Sequence, residues 1–199
     1  MGSNNVTLPK EYYQGDDVVA ISKDLLGKKL FTNIDGNITG GIIVETEAYA
    51  GIDDKASHSY GGKRTKRNES MFLDGGITYV YMCYGIHFLL NIVTNKAPIP
   101  QAVLIRAIQP TDGIETMLKR RNKEKLDRSV AGGPGALSQA LGITRSHDAL
   151  PLQGLIIYIE EGEHVDDIVA TPRVGVGYAG DDAFLPWRFR TRDCDLIFD

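Results

Sequence analysis

Hydrophobic and polar residues alternate along residues 41–49, and this alternation predicts a β-strand at the centre of the fold. Successive side chains of a strand point to opposite faces of the sheet. The face suited to a core carries Ile42, Val44, Thr46 and Ala48. The opposite face carries Ile43, Glu45, Glu47 and Tyr49. Glutamate is a poor strand former, so Glu45 and Glu47 leave two explanations open: an edge strand with a solvated face, or a general acid or base at the wall of a cleft.

The periodicity of the remaining chain predicts helices and strands in one mixed fold. Helices are predicted to begin at Asp16 or Asp17, at Thr111 or Asp112 with a capping box to Glu115, and after the glycine-rich residues 132–135. Strands are predicted over residues 28–33, 77–83, 87–93, 102–107 and 155–159, with residues 173–177 and 187–190 closing the sheet. The acidic residues 160–167 are predicted to form an exposed turn.

A long polar loop over residues 51–69 follows the central strand and has no internal periodicity, which is typical of functional loops. It contains His58 and the basic residues Lys63, Arg64, Lys66 and Arg67. A second basic run covers residues 119–125. Such runs form either an ordinary solvated surface or a phosphate-binding patch.

Two strands, residues 77–83 and 87–93, meet at Tyr84-Gly85 and predict a hairpin with a tyrosine at its tip. A large aromatic side chain at an exposed tip is uncommon unless a partner buries it, although a packing role for each tyrosine remains open. Asn91 interrupts the apolar return strand and needs hydrogen-bond partners in the fold or in a ligand. Arg106, on another apolar strand, needs an anion: a structural carboxylate, Glu47 or a phosphate.

Composition limits the number of domains, the cellular compartment and the possible partners. The 199 residues suffice for one domain, residues 1–199, and 42% hydrophobic with 24% charged residues is typical of a soluble protein. Neither a secretory signal at residues 1–5 nor an apolar run of membrane-spanning length occurs in the sequence. Cys83 and Cys194 fit neither a disulfide framework nor a zinc site, so we expect a cytoplasmic protein without membrane attachment. The net charge of −4 argues only weakly against a nucleic-acid partner, because local patches matter more.

Several catalytic classes lack their motifs in this sequence. It contains no Gly-x-Ser-x-Gly elbow, no Walker loop and no His-x-x-x-His helix, and His58 and His87 are not spaced as a chelating pair. We therefore predict no metal site. The remaining carboxylate, histidine, tyrosines and basic patches together describe a pocket for an extruded nucleobase beside a water-activating acid.

The sequence resembles the alkyladenine (3-methyladenine) DNA glycosylase family over about residues 8–190. The resemblance is carried, in order, by Val44-Glu45-Thr46-Glu47-Ala48-Tyr49, Ala56-Ser57-His58-Ser59, Thr65-Lys66-Arg67-Asn68 with Met71-Phe72, Tyr79-Val80-Tyr81, Tyr84-Gly85, Asn91, Leu104-Ile105-Arg106-Ala107, Gly133-Pro134-Gly135 and Arg173-Val174-Gly175-Val176-Gly177. It implies an α+β fold: a single mixed domain with a curved, mainly antiparallel β-sheet core, surrounding helices and a protruding β-hairpin.

The resemblance also implies a role for each matching residue. Glu47 corresponds to the general base that activates water, and Arg106 and the backbone of Val174 to groups around that water and the damaged nucleotide. The flipped base is held by Tyr49, His58 and Tyr81. Tyr84 fills the gap left in the duplex, and Asn91 disfavours normal guanine. The implied enzyme is a monofunctional, monomeric base-excision glycosylase without metal or organic cofactor, acting on double-stranded DNA that contains alkylated or deaminated purines.

Three departures from the family pattern fall outside the expected catalytic group: Ala136 replaces a common basic residue, His87 a common aromatic residue, and Lys63 an arginine. Two rival interpretations remain open. One is a glycoside hydrolase that uses Glu45 and Glu47 as a carboxylate pair. The other is a catalytically inactive damaged-DNA-binding module, in which Glu47 would be buried in a structural salt bridge away from any cavity.

Overall fold

An antiparallel β-sheet organises the chain, whose computed structural model describes residues 6–192. The predictions for residues 1–5 and for Cys194 therefore concern residues outside the described range. The strands are β1 (Lys29–Ile34), β2 (Asn37–Tyr49), β3 (Thr78–Cys83), β4 (His87–Thr94), β5 (Gln101–Asp112), β6 (Ile157–Glu160), β7 (Ile168–Thr171) and β8 (Arg188–Thr191). The α-helices are α1 (Val18–Asp24), α2 (Ile114–Arg121), α3 (Arg128–Ala131) and α4 (Pro134–Leu141).

The sheet has the order β3-β4-β5-β2-β1-β6, and β8 pairs with both β2 and β7. Each of these pairings is antiparallel. The sheet curls into a half-barrel, and side chains of α1, α2 and α4 pack with it in one hydrophobic core. The α+β fold with a curved, mainly antiparallel sheet and a β3–β4 hairpin is thereby confirmed.

The predicted division of β2 into two faces is wrong in its first half. Ile43 lies in the main core, whereas Ile42 and Val44 pack with Ala107 in a small separate cluster. The register against β5 shifts between Ile43 and Glu45 and again before Thr46, which marks a β-bulge. A bulge adds a residue to one strand and reverses the alternation beyond it. Glu47 consequently still lies on the face opposite the core.

Helix α1 follows its prediction closely. The Asp17 carboxylate accepts a hydrogen bond of 2.9 Å from the Ala20 N–H, which satisfies one of the donors left unpaired at a helix start. Val18 and Ile21 lie in the core, and Ser22 donates to the Thr46 hydroxyl across 3.1 Å. This packing anchors the half of β2 that carries Glu47.

Other boundaries differ from the predictions. Strand β5 continues to Asp112, and α2 begins after Gly113, which has φ +66° and no side-chain cap, so the capping box with Glu115 is wrong. Residues 173–177 form no strand; the sheet closes instead through β7 and β8, and β7 was not predicted. The acidic turn 160–167 is largely exposed, as predicted. Within residues 6–192, no helix has the length and apolar character needed to cross a membrane.

Candidate active site

Glu47 is a fully buried carboxylate whose two oxygens are both held by hydrogen bonds. The Val174 N–H donates to Oε1 over 2.8 Å, and the Tyr49 hydroxyl donates to Oε2 over 2.8 Å. Arg106 Nη1 lies 3.2 Å from Oε1. Strand β2 carries Glu47 and Tyr49 two residues apart on one face, and neighbouring β5 carries Arg106 beside them. The sheet thus positions Glu47, Tyr49 and Arg106, and only the Val174 N–H comes from outside it.

Burial raises the pKa of the Glu47 carboxyl above its usual value, although Arg106, the Val174 N–H and the Tyr49 hydroxyl oppose this effect. Burial alone would lower the pKa of Arg106, but Glu47 and Glu45 raise it instead. Arg106 is therefore a permanent cation beside a carboxylate that accepts a proton more readily than an exposed glutamate. Such a carboxylate suits general-base chemistry near neutral pH.

Glu45 is held differently from Glu47. Its Oε1 accepts from Arg106 Nε over 2.8 Å and from Arg188 Nε, on β8, over 2.6 Å. Glu45 is 4% exposed. A carboxylate whose oxygen already accepts hydrogen bonds from two guanidinium groups is a poor nucleophile, because the lone pairs that would attack are engaged. This geometry disfavours the glycoside-hydrolase pair of Glu45 and Glu47.

A small cleft lies beside Glu47 and contains most of the predicted base-binding residues. Its lining comprises Tyr49, Ala56, Ser57, His58, Met71, Tyr79, Tyr81, Asn91, Ala102 and Tyr178. Tyr49, His58, Tyr81 and Asn91 are thus brought together from β2, the 51–69 loop, β3 and β4. Glu47 is not in this lining and is connected to the cleft through the Tyr49 hydroxyl.

Aromatic rings form much of the cleft wall. Tyr79 and Tyr81 stack with centroids 5.3 Å apart, and His58 meets Tyr81 edge-on at 4.6 Å. His58 Nδ1 and the Tyr79 hydroxyl are 2.8 Å apart. Burial, together with the smaller effect of the nearby Arg67 and Lys63 charges, lowers the pKa of His58 to about 4. His58 is consequently neutral at pH 7.

Asn91 finds its hydrogen-bond partners within the fold. Its amide nitrogen donates to the backbone carbonyls of Tyr79, at 3.0 Å, and Leu89, at 3.4 Å. These bonds fix the orientation of a side chain that is only 3% exposed yet lines the cleft. A polar group held in this way can discriminate between molecules that enter the cleft, because it cannot turn to suit an ill-fitting one.

Tyr84 lies at the tip of the β3–β4 hairpin and is 89% exposed. Its φ of +51° and that of Gly85 at +72° produce a tight hairpin turn, closed by a 3.2 Å bond from the Ile86 N–H to the Cys83 carbonyl. Positive φ is unusual for tyrosine, whose Cβ crowds the backbone there. An aromatic ring is therefore presented to solvent on a strained turn.

The basic residues of the 51–69 loop are exposed, and one of them, Arg67, contacts the β3–β4 hairpin close to its tip. Arg67 donates to the Met82 carbonyl over 3.2 Å, and its guanidinium lies 5.0 Å from the centroid of the Tyr81 ring. In the second basic run, Arg120 and Arg121 bind carbonyl groups of the protein itself. All four basic side chains of the first run are exposed, whereas Arg120 and Arg121 are half-buried, so the first run is the better candidate for phosphate contacts.

His87 packs against the start of α4. A Cβ at Gly135 would lie 2.8 Å from His87 Cγ, so a larger residue at this position would have to displace His87. Ala136, another of the three departures from the family pattern, follows in the first turn of the same helix. Neither residue contributes to the cleft lining.

Three site features were not predicted from the sequence. Tyr79 lines the cleft with Tyr81, and its position two residues before Tyr81 on the same strand is the sequence signal that marks it. Tyr178 lines the cleft from the 3₁₀-helical segment Gly177–Phe184, and its hydroxyl donates to the Ala56 carbonyl over 3.1 Å. No periodicity in the sequence marks it. Asp54 and Arg173 form a buried ion pair behind Tyr49. Among residues 6–192, no group of three or more His, Cys, Asp or Glu side chains is arranged to hold a metal ion.

The chain is similar to a known protein family and to several named relatives. The family model described as methylpurine-DNA glycosylase (MPG) matches residues 11–195. A provisionally named 3-methyladenine DNA glycosylase of Chlamydia felis is 45% identical over 183 residues, covering 92% of this chain and 94% of the relative. A relative of the same provisional name from Bacillus mycoides is 45% identical over 192 residues, covering 91% and 94%. The resemblance inferred from the motifs is confirmed, and the chain belongs to the methylpurine-DNA glycosylase family, a family of DNA-repair hydrolases that act on N-glycosyl bonds.

Proposed function

We propose that this protein is a monofunctional 3-methyladenine-type DNA glycosylase: it flips alkylated or deaminated purines out of duplex DNA and hydrolyses their N-glycosidic bond. The observation that carries the proposal is the buried Glu47 carboxylate, held by Val174, Tyr49 and Arg106 beside a cleft of aromatic residues. We further propose that it acts as a monomer in the cytoplasm, without a metal or organic cofactor.

In this mechanism Glu47 takes a proton from a water molecule as the water oxygen attacks the sugar C1′. The C1′–N bond breaks and its electron pair leaves with the base, so an abasic site and a free purine remain. Arg106, 3.2 Å from the Glu47 carboxylate, balances charge as the proton moves. The raised pKa of Glu47 favours this transfer, because a base is most effective when its pKa approaches the working pH.

The cleft favours purines that carry a positive charge. Alkylation makes the base cationic, which strengthens its contact with the tyrosine faces and makes it a better leaving group. His58 is neutral at pH 7 and adds no repelling charge to the wall. Asn91, fixed by two backbone carbonyls, disfavours normal guanine through the exocyclic amine of that base.

Base flipping costs a few kcal/mol, with damaged or mispaired bases costing least. Tyr84, exposed at the hairpin tip, fills the vacated space in the duplex and offsets part of this cost. The basic residues of the 51–69 loop bind phosphates near the flipped nucleotide. Their position beside the hairpin, through the contacts of Arg67 with Tyr81 and Met82, supports this assignment.

A damaged-DNA-binding module without catalysis is the second candidate. It is favoured by one observation: Glu47 is fully buried, paired with Arg106 and absent from the cleft lining. The hydrogen bond from Tyr49, which does line the cleft, argues against a purely structural carboxylate.

Incubation of the protein with alkylated duplex DNA, followed by chromatography of the released bases, separates the two candidates. We expect free methylated purines from the wild type and none from Glu47→Gln. Binding to damaged duplex without release of any base by the wild type would favour the binding module.

A further inference from the structure

We infer that Asp54 and Arg173 are positioning residues for Glu47: their buried ion pair holds the Val174 N–H on the Glu47 carboxylate and fixes Tyr49 at the cleft wall. The inference rests on the proposed function, in which Glu47 activates the attacking water. Neither residue of the pair touches the reacting atoms.

The pair has the geometry of a rigid clamp. Arg173 Nη1 lies 2.5 Å from Asp54 Oδ2, and Nη2 lies 2.8 Å from Oδ1, so the contact is bidentate. The two side chains are 0% and 1% exposed. Such a pair restricts orientation as well as distance, because two parallel hydrogen bonds fix the plane of the guanidinium group.

The clamp joins the two segments that flank Glu47. Arg173 Nη1 also donates to the Ala48 carbonyl over 2.9 Å, directly after Glu47 on β2. Val174, directly after Arg173, donates its N–H to Glu47 over 2.8 Å. Asp54 in turn accepts from the N–H groups of Ala50 and Ala56, which fixes the loop that leaves β2. Movement of Arg173 would therefore displace the Val174 donor.

Arg173 also supports the ring of Tyr49. The guanidinium carbon lies 4.9 Å from the Tyr49 centroid and 5.1 Å from the Trp187 centroid. Tyr49 lines the cleft and donates its hydroxyl hydrogen to Glu47. The same cation thus holds two of the hydrogen-bond donors to Glu47, one through the backbone and one through an aromatic ring.

The charges around Glu47 identify how the pair acts. Arg106 faces Glu47 from β5, Glu45 and Tyr49 face it from its own strand, and Arg188 on β8 is paired with Glu45. The charge of Arg173 is matched by Asp54. Arg173 and Glu47 also interact directly through charge, which raises the Arg173 pKa, and the Val174 N–H lowers the Glu47 pKa. Because Arg173→Lys keeps the charge, it isolates the part that passes through the Val174 N–H. Loosening the clamp is expected to raise the Glu47 pKa further.

The test compares Arg173→Lys and Asp54→Asn with the wild type. Lysine keeps the charge but cannot make the bidentate contact, and it remains available if Asp54→Asn fails to fold. Asp148→Asn is the matched control, because Asp148 also accepts a backbone N–H, from Val80 at 2.8 Å, and pairs with an arginine, Arg145 at 3.4 Å. The readouts are the ¹³C NMR titration of the Glu47 carboxyl, assigned through Glu47→Gln, and the pH profile of kcat/KM.

We expect the Glu47 titration and the acid limb of kcat/KM to move to higher pH by about one unit in Arg173→Lys, which lowers activity about tenfold on the acid side. The shift should be smaller in Asp54→Asn, because the Arg173 charge that Asp54 no longer matches favours the ionised Glu47 carboxylate. Asp148→Asn should lose stability without moving either readout. An unmoved Glu47 titration in folded Arg173→Lys, or an equal shift in Asp148→Asn, would overturn the inference. Failure of the wild type to release bases would instead overturn the proposed function, since the NMR titration does not depend on activity.

Discussion

At the scale of single residues, the burial of Glu47 has opposite effects on stability and on the proposed catalysis. A buried carboxylate costs stability, yet the same burial gives it the raised pKa that a general base needs. Proteins often retain such costs at functional sites, where a stabilising substitution impairs activity. The free energy of unfolding of Glu47 variants therefore tests whether burial of this carboxylate costs stability.

Glu47→Gln is expected to be more stable than the wild type at pH 8, by about 1 kcal/mol. The folded pKa of Glu47 lies above its unfolded value, so its favourable contribution is present at low pH and is lost as pH rises through the folded pKa. Glutamine does not titrate, so the advantage of the variant should shrink toward pH 5. Urea unfolding at both pH values measures this difference. A variant that is less stable than the wild type at both pH values would mean that the ion pair with Arg106 stabilises the fold by more than burial of the Glu47 carboxylate destabilises it.

His58 is expected to titrate with a midpoint near 4 rather than 6.5, because burial and the charges of Arg67 and Lys63 disfavour its protonated form. The unfolded chain then binds the proton more tightly than the folded protein. The contribution of His58 to stability is complete above pH 6.5 and declines as pH falls from 6.5 toward 4. NMR of the imidazole Cε1–H, assigned with His58→Gln, reports the midpoint. A midpoint between pH 6 and 7 would contradict the cleft geometry.

The sequence identified Glu47 and Tyr49 as neighbours because they lie two residues apart on one strand. It could not have predicted the third partner from pattern alone: the Val174 donor is a backbone N–H from a segment 127 residues away. Any residue type other than proline carries that donor, so no side-chain pattern marks it. Only the family motif pointed to Val174.

At the scale of elements, periodicity predicted strands that alternate and failed where the backbone departs from alternation. The β3–β4 hairpin was found with nearly its true bounds. The bulge in β2 reversed the faces of Ile42 and Ile43, because one extra residue inverts a period of two. Strand β7 was not predicted because it has only four residues, most of them half-buried, and their hydrophobicity does not alternate.

The hairpin prediction concerns Tyr84. Tyr84→Ala should weaken binding to damaged duplex DNA much more than binding to damaged single strands, since only the duplex has a gap to fill. Leu155→Ala, an equally exposed apolar side chain at 86%, is the matched control and should change neither. Fluorescence anisotropy with the two substrates measures both affinities. Equal losses on duplex and single strand would argue against insertion.

At the scale of the whole molecule, the distribution of charge bears more on DNA binding than the net charge does. The chain carries a net charge of −4, yet the basic residues beside the cleft are exposed, whereas Arg120 and Arg121 of the second run bind the protein itself. The fold thus separates a basic loop beside the hairpin from the acidic turn 160–167. A local patch of this kind is compatible with DNA binding by an acidic protein.

This separation predicts different salt dependences for two double variants. Lys63→Ala with Lys66→Ala should reduce the slope of log affinity against log salt by about two, because each lost phosphate contact removes about one. Lys123→Ala with Lys125→Ala, exposed lysines of the second run, should leave the slope nearly unchanged. Titrations between low and physiological salt measure the slopes. If the Lys123 and Lys125 substitutions reduced the slope by more than the Lys63 and Lys66 substitutions, the DNA would instead bind beside the segment that follows α2.

The most direct test of the central claim is single-turnover release of 3-methyladenine from duplex DNA by Glu47→Gln, with binding measured on the same substrate. Glu161→Gln, which removes a carboxylate on the distant acidic turn, is the control. We predict that Glu47→Gln loses at least about a hundredfold in release rate, as expected for the loss of a general base, and still binds damaged duplex. Release at nearly the wild-type rate by Glu47→Gln would contradict the assignment of Glu47 and with it the mechanism proposed for this site.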